Sequence, residues 1–293
     1  MNLSRRTFFK VATVAGATGL AGGRLEASPQ VVAGADLQAM LVDTTRCVGC
    51  RSCEAACAEV NHLPAPPDEV PEGLRQTGTE AFTVVSTFTP ADGREPRSVK
   101  RQCNHCLEPG CASACPVKAI EKTASGPVVY HRDRCIGCRY CMMACPFEIP
   151  KYEYEKAVPY VRKCEFCHDR QAQGLPTACA EACPTGALTF GTRAELIEEA
   201  RTRIYQNPDS YVHHIYGEHE AGGLSWLYIG DRPFDEIGLR TDLGHHGFAE
   251  LTQASLAAVP FVITLWPPFL MALYTFSTRR EQVAAASEEV THG

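Results

Sequence analysis

Sixteen cysteines are the residues of this 293-residue chain whose type and spacing could do chemistry. They form four groups of four: Cys47, Cys50, Cys53 and Cys57; Cys103, Cys106, Cys111 and Cys115; Cys135, Cys138, Cys141 and Cys145; and Cys164, Cys167, Cys179 and Cys183. The first and third groups have the spacing C-x2-C-x2-C-x3-C, and the last three groups end in Cys-Pro. Because thiolates are soft ligands for transition metals, this pattern predicts metal binding or disulfide chemistry.

Three kinds of chemistry compete for these cysteines. An even cysteine count in an exported protein suits disulfides, and paired C-x2-C is also a zinc-ribbon spacing. Neither explains the third close cysteine and the trailing Cys-Pro of the run from Cys135 to Pro146. Bacterial-type ferredoxins bind [4Fe–4S] clusters with this run, so the spacing favours iron–sulfur clusters, with zinc and disulfides as the alternatives.

The last cysteine of each group has a separate predicted role. In two-cluster ferredoxins, three close cysteines bind one cluster and the fourth binds the other cluster. We therefore expect the two middle groups to exchange their last cysteines. The predicted ligand sets are Cys103, Cys106, Cys111 and Cys145 for set C, and Cys135, Cys138, Cys141 and Cys115 for set D.

Residues 1–27 are predicted to be a twin-arginine signal peptide. Arg5 and Arg6 precede a weakly apolar run, 11–23, and a possible cleavage signal at 25–27. The alternative is an ordinary amphipathic or membrane-anchoring N-terminus, but the run is shorter than the ~20 residues of a bilayer span. This export route accepts folded cargo, which suits a protein that receives a cofactor in the cytoplasm.

The overall charge limits the class of partner. The chain has a formal net charge of −6, and removal of residues 1–27 deletes four basic residues and one acidic residue. The remaining chain is therefore more acidic. This balance argues against nucleic acid as a partner.

Residues 251–278 carry no formal charge and are predicted to be a single transmembrane helix. Three prolines within it predict a kinked helix that packs on another protein. Two arginines follow, so the positive-inside rule predicts a cytoplasmic tail, 279–293, and a cysteine-rich body on the periplasmic side of a bacterial inner membrane. A buried core helix is the alternative.

Short elements must position the cysteines. We expect a β-hairpin within 81–99 and a turn with a short strand within 125–135. Thr192 and Glu195 form a capping box that predicts a helix through about residue 205. Residues 28–250 are therefore predicted to be an α+β body of tandem ferredoxin-like modules with short strands and helices.

Other residues receive weaker predictions. His105 and His168 lie inside cysteine groups, but sixteen thiolates saturate four clusters, so we expect shell or surface positions. Arg101, Lys163 and their neighbours are predicted to offset cluster charge and to tune the reduction potentials. Five further histidines are interpreted as a solvated region, with a docking surface or proton path as the alternative: His213, His214, His219, His245 and His246. Motifs for nucleotide binding or nucleophilic catalysis are absent from the sequence, which predicts electron transfer without substrate chemistry.

The cysteine frame of residues 44–192 resembles the four-cluster electron-transfer subunits of complex iron–sulfur oxidoreductases, such as DMSO reductase and formate dehydrogenase. The motifs CRYCMMACP, PKYEYE, FGTRAELIEEA and YGEHEAGG, with the single C-terminal span, look like the iron–sulfur subunit of the membrane-bound [NiFe] hydrogenase-2 type. One departure is the first group, which ends in Cys57-Ala58 without the proline. The resemblance implies a core at 44–192 and an extension with a helix and a strand at 193–250.

The resemblance also implies the remaining ligands and the partners. The first and fourth groups lie on either side of the middle pair in the sequence, and the family likeness implies that they pair across it. Set A is then Cys47, Cys50, Cys53 and Cys183, and set B is Cys164, Cys167, Cys179 and Cys57. Four [4Fe–4S] clusters would then relay electrons between the large and small subunits of a hydrogenase and a polysulfide-reductase-type membrane subunit that exchanges electrons with quinone. The alternatives are a molybdopterin oxidoreductase or multihaem cytochrome partner, and a non-redox metal-binding membrane protein.

Overall fold

The structure is a computed structural model that describes residues 37–90 and 92–291, without the side chains of 252–257 and 285–291. The described residues belong to one compact unit, Gly34–Gly293. The signal peptide predicted at 1–27 lies outside them. Their mixture of short strands and helices confirms the predicted α+β class.

A three-stranded sheet supports the body. Its central strand is β1 (Gln38–Asp43), which pairs antiparallel with β8 (Leu188–Thr192) and parallel with β9 (Trp226–Ile229). All of β1 except Gln38 is buried, because this strand is covered on both faces.

The two faces of this sheet have different neighbours. Met40 and Val42 face the cluster of buried side chains that includes several of the cysteines. The alternate residues Ala39 and Leu41 pack with Leu196 and its neighbours in helix α6 (Arg193–Gln206). Since successive strand residues point to opposite faces, the sheet separates this helix from the cysteine-rich layer.

Three two-stranded hairpins alternate with the cysteine groups. They are β2 (Val84–Phe88) with β3 (Arg97–Arg101), β4 (Ile120–Lys122) with β5 (Val128–Tyr130), and β6 (Lys151–Tyr152) with β7 (Val161–Arg162). The hairpin expected within 81–99 and the strand expected within 125–135 are both confirmed.

Most helices of the body are short. They are α1 (Ser52–Val60), α2 (Gly110–Ser113), α3 (Tyr140–Met143), α4 (His168–Gln171), α5 (Ala178–Glu181) and α6 (Arg193–Gln206), with 3-10 turns at Arg132–Arg134 and Glu220–Gly222. The helix predicted from the capping box is confirmed as α6. Thr192 is its N-cap, and the Glu195 backbone N–H donates to the Thr192 hydroxyl.

Helix α7 (Phe248–Thr291) continues without interruption through Pro260, Pro267 and Pro268. It extends beyond the predicted 251–278 at both ends. The extension at its C-terminal end makes most of the predicted tail, 279–293, helical, because the Ala- and Glu-rich sequence there favours helix. The cytoplasmic location of this tail stays a prediction. The stretch Ala258–Ala284 is long and apolar enough to cross a membrane, with a mean hydropathy of 1.6 and none of its most apolar window buried.

Candidate iron–sulfur cluster sites

Each cysteine group begins with the same loop conformation. The residue before the second cysteine of each group has a positive φ: Gly49 (69°), His105 (46°), Gly137 (72°) and Phe166 (59°). Two of the four are not glycine, so the conformation is kept although it costs energy for residues with a Cβ. The four loops therefore share one way of wrapping around a bound group.

This conformation turns backbone N–H groups toward sulfur. The Gly137 N–H donates to Cys135 Sγ, and the Phe166 N–H donates to Cys164 Sγ, each at 3.4 Å. A third N–H, from Ala119, donates to Cys115 Sγ at 3.1 Å. Such donors stabilise a thiolate that carries negative charge, and they orient it as a ligand.

The last cysteines lie just beyond short helices. The four-residue helices α2, α3 and α5 end two positions before the cysteines of the three Cys-Pro pairs, which are Cys115, Cys145 and Cys183. Proline disfavours helical conformation in the residue before it, so it ends each helix near that cysteine. The first group has Ala58 instead, and Cys57 lies inside the longer helix α1, which continues to Val60.

Two cavities collect cysteines from the first and fourth groups. One is lined by Cys47, Cys50, Cys53 and Cys183. The other is lined by Cys57, Cys164, Cys167 and Cys179. These are the members of the predicted ligand sets A and B.

The middle groups exchange neighbours in the same way. Burial raises the pKa of the Cys106 thiol, and the nearby Cys145 and Cys103 raise it further. Burial likewise raises the pKa of Cys141 to about 11, with Cys115 as its strongest charged neighbour. Cys145 therefore lies with the second group and Cys115 with the third, as sets C and D predict. That each set binds a cluster remains a prediction.

The donor sets fit iron–sulfur clusters. All sixteen cysteines are free thiols, so the structure contains no disulfide among them. Burial raises the pKa of Cys53 and of Cys57 to about 12. Neighbouring buried thiolates need a compensating positive charge, which iron atoms would supply on binding.

Zinc fits the described side chains less well. A tetrahedral zinc ion requires its sulfur ligands about 2.3 Å from one point. Among residues 37–90 and 92–291, no three histidine, cysteine or acidic side chains converge closely enough to hold a single ion. Sets A and B instead surround cavities, which suits a larger group bound at several iron atoms.

Buried lysines accompany the thiols. Lys163, which sequence reasoning identified, is buried, and its ammonium donates to the carbonyl oxygens of Val128 and Cys164. Arg101 is partly exposed and donates to the Phe147 carbonyl. Sequence reasoning included the neighbours of Arg101 but did not name Lys100, which is 2% exposed. The only signal for it was its place three residues before the second group.

His105 occupies the interior and not the surface. The Val128 N–H donates to His105 Nδ1 at 2.8 Å, and the imidazole stacks on Phe166 with 4.9 Å between ring centroids. Burial lowers its pKa well below the usual range, so the ring is neutral. This packing role agrees with the predicted shell position.

The other histidines lie elsewhere. His168 begins helix α4. His214 contacts the Glu220 carboxylate at 2.6 Å, and the rings of His219 and His245 lie 5.9 Å apart. The side chains of His214, His219 and His245 are exposed.

Two of the cysteines are more exposed than the others, one in set A and one in set D. All sixteen cysteines lie within the described residues, and two of them, Cys50 and Cys138, are exposed. Exposed apolar side chains surround them: Val48 beside Cys50, and Ile136 with Met143 beside Cys138. Sets A and D therefore each have one ligand at the protein surface.

Comparisons with known proteins agree with this geometry. Residues 97–193 match a 4Fe-4S dicluster domain, a region that contains the last three cysteine groups. A protein from Nitratidesulfovibrio vulgaris is 44% identical over 296 residues, which cover 98% of this chain and 80% of that protein.

Two relatives have informative names. The hydrogenase-2 operon protein HybA of Escherichia coli O157:H7 is 35% identical over 68% of this chain and 72% of its own length. The iron–sulfur subunit of the nitrate-inducible formate dehydrogenase of Escherichia coli K12 is 35% identical over 77% of this chain and 81% of its own length. The chain therefore belongs to the 4Fe-4S dicluster family of iron–sulfur proteins that includes HybA and these formate dehydrogenase subunits.

Proposed function

We propose that the chain is an electron-transfer subunit that carries four [4Fe–4S] clusters, one in each of the ligand sets A to D. It relays electrons between a periplasmic [NiFe] hydrogenase and a quinone-reactive integral membrane subunit. The observation that carries this proposal is the continuous array of four thiol sets with an exposed cysteine at each end.

Contacts between the sets support a linear order. Sets A and B share Lys100, which lines both cavities. Set B meets set C where Cys103 is a charged neighbour of Cys164. Sets C and D exchange their last cysteines, Cys145 and Cys115. The order A–B–C–D therefore gives two surface positions for electron exchange with partners, at the A end and at the D end.

In this proposal, the position of the start of helix α7 determines which partner each end of the order A–B–C–D faces. A Cβ added to Gly110, in the second cysteine group, would lie 3.1 Å from Phe248 Cβ at the start of α7. Sets C and D therefore lie near the base of the proposed membrane span, and Cys138 faces the membrane subunit. Cys50, the exposed cysteine of set A, then faces the hydrogenase.

The chain's own residues prepare this transfer. When bound, each cluster would accept and release single electrons. The thiols hold it by several ligands, and the N–H donors to sulfur stabilise its negative charge. Cys50 and Cys138 are the exposed cysteines of the described chain, so in this proposal electrons enter and leave at these two positions.

The domain assignment and location are part of the proposal. Residues 1–27 would be the export signal, 28–250 the periplasmic four-cluster domain and 251–278 the transmembrane anchor within α7. Residues 279–293 would lie in the cytoplasm. The apolar stretch Ala258–Ala284 and the paired Arg5 and Arg6 support this topology.

A second candidate partner has its own support. The formate dehydrogenase iron–sulfur subunits cover a larger share of this chain than HybA does, which favours a molybdopterin enzyme in place of a hydrogenase. The electron-relay role is the same in both cases. The motifs quoted for the hydrogenase-2 type, which include YGEHEAGG, favour the first candidate.

A single purification tests the proposal. The full chain, tagged and extracted in mild detergent, is expected to co-purify with hydrogenase large and small subunits and a multi-span membrane protein. Four clusters require about sixteen iron and sixteen sulfide per chain, and the reduced protein should show several interacting EPR signals. Zinc in place of iron would refute the electron-relay role. Co-purification with a formate dehydrogenase catalytic subunit would select the second candidate.

A further inference from the structure

Lys100 lies between the two outer ligand sets. It is in strand β3, opposite Val85 of β2, and only 2% of the residue is exposed. It lines the cavity of set A and also the cavity of set B. A single buried ammonium group therefore borders both sites.

Neutral groups hold this ammonium in place. Lys100 Nζ donates to Gln102 Oε1 at 2.9 Å and lies 4.3 Å from the ring centroid of Trp226. Gln102 Nε2 donates to the Tyr228 hydroxyl at 2.8 Å, and that hydroxyl donates back to the Lys100 carbonyl at 3.1 Å. This closed ring of hydrogen bonds restricts where the ammonium can lie.

No carboxylate compensates the charge. In the described part of the chain, Lys100 forms no ion pair with an acidic residue, although a buried ammonium is costly without one. Its main charged neighbours are thiols from both sets: Cys53 of set A, and Cys57, Cys164 and Cys179 of set B. The negative charge that balances Lys100 therefore has to come from the groups bound in sets A and B.

We propose that Lys100 is a positioning residue whose charge is shared by clusters A and B and raises the reduction potential of both. Reduction adds one electron to a cluster, and a fixed positive charge in a low-dielectric interior stabilises that added charge. Because the charge borders both sites, it shifts the two potentials in the same direction, so the difference between them changes less than either potential. This inference rests on the proposed function.

The test is a redox titration of the full chain, followed by EPR, on wild type, Lys100→Met and Lys100→Arg. Cys50→Ser and Cys167→Ser identify the signals of clusters A and B. In Lys100→Met, the equilibrium constant for reduction of both clusters is expected to fall at least tenfold, which is about 59 mV for one electron. Lys100→Arg keeps the charge and is expected to stay near wild type.

Lys122→Met is the matched control. This lysine donates to the His105 carbonyl at 2.8 Å, and its nearest thiols, Cys106 and Cys103, belong to set C. Its loss is expected to shift cluster C and to leave A and B unchanged. Unchanged potentials for A and B in Lys100→Met, or an equal shift of all four clusters, would overturn the proposal.

Cluster content separates charge from packing. If Lys100→Met fails to load clusters A and B, Lys100→Gln provides a second neutral variant. Loss of these clusters in both neutral variants but not in Lys100→Arg supports a requirement for the charge. Loss in all three variants shows a packing role and refutes the inference. A wild-type protein without four cluster signals would refute the proposed function as well.

Discussion

At the scale of single residues, Cys145 shows that a ligand's place in the sequence differs from its place in the site. It belongs to the third group by spacing, yet the second-group thiol of Cys103 is one of its charged neighbours. Three backbone N–H groups, of Phe147, Glu148 and Ile149, also stabilise its thiolate. The family rule that the fourth cysteine serves the other cluster accounts for this placement.

Substitution of Cys145 tests this exchange. Cys145→Ala is expected to remove or alter the EPR signal of cluster C, because that cluster loses one of its four ligands, and to spare cluster D. Cys141→Ala, in the same loop, is the control and should affect cluster D. Loss of cluster D with an intact cluster C in Cys145→Ala would contradict the exchange.

At the scale of elements, the local features were predictable from sequence. The hairpin within 81–99, the capped helix α6 and the short helices before each Cys-Pro depend on residues close together in the chain. Helix α1 is longer because Ala58 replaces the proline. Turn and capping chemistry act over a few residues, so single-sequence patterns contain them.

The supporting sheet could not be predicted in the same way. Strand β1 precedes the first cysteine group and pairs with β8 and β9, far along the chain. Nothing in its six residues specifies a parallel partner at Trp226–Ile229. The same holds for Lys100, since its position between two cavities arises only when the first and fourth groups meet.

A substitution in the glycine-rich segment before β9 tests how the close packing of this segment against β9 contributes to stability. Gly217 has φ +95°, and an added Cβ would lie 2.3 Å from the Trp226 carbonyl oxygen. Gly217→Ala therefore combines backbone strain with a clash against backbone that cannot easily move, and we expect a loss of about 3 kcal/mol or more in unfolding free energy. Loss of cluster absorbance during denaturant titration measures it.

Gly174→Ala is the matched control for that substitution. Gly174 has φ +75°, but an added Cβ would meet nothing within 4 Å. This variant isolates the cost of the left-handed backbone, about 1 kcal/mol. Equal losses in the two variants would show that the contact with Trp226 does not contribute.

At the scale of the whole molecule, the sequence predicted four ligand sets but not which of them reach the surface. The exposure of Cys50 and Cys138 depends on how all four groups pack together. In the proposed function, these two exposed cysteines give one surface position for each partner. The proximity of the start of helix α7 to the second cysteine group then puts the membrane partner at the Cys138 end in this proposal.

Truncation of α7 tests the anchor directly. A chain that ends at residue 251 lacks the apolar stretch Ala258–Ala284 and is expected in the soluble fraction when produced without its partners. The full chain should sediment with membranes, because the stretch Ala258–Ala284 is 27 residues long, which exceeds the ~20 needed for a span. A chain that ends at residue 284 is the control, since it keeps the span and loses only the last part of α7, and it should remain in the membrane. If the chain ending at 251 also stays in the membrane and resists a high-salt wash, the body binds lipid by itself and α7 is not the anchor.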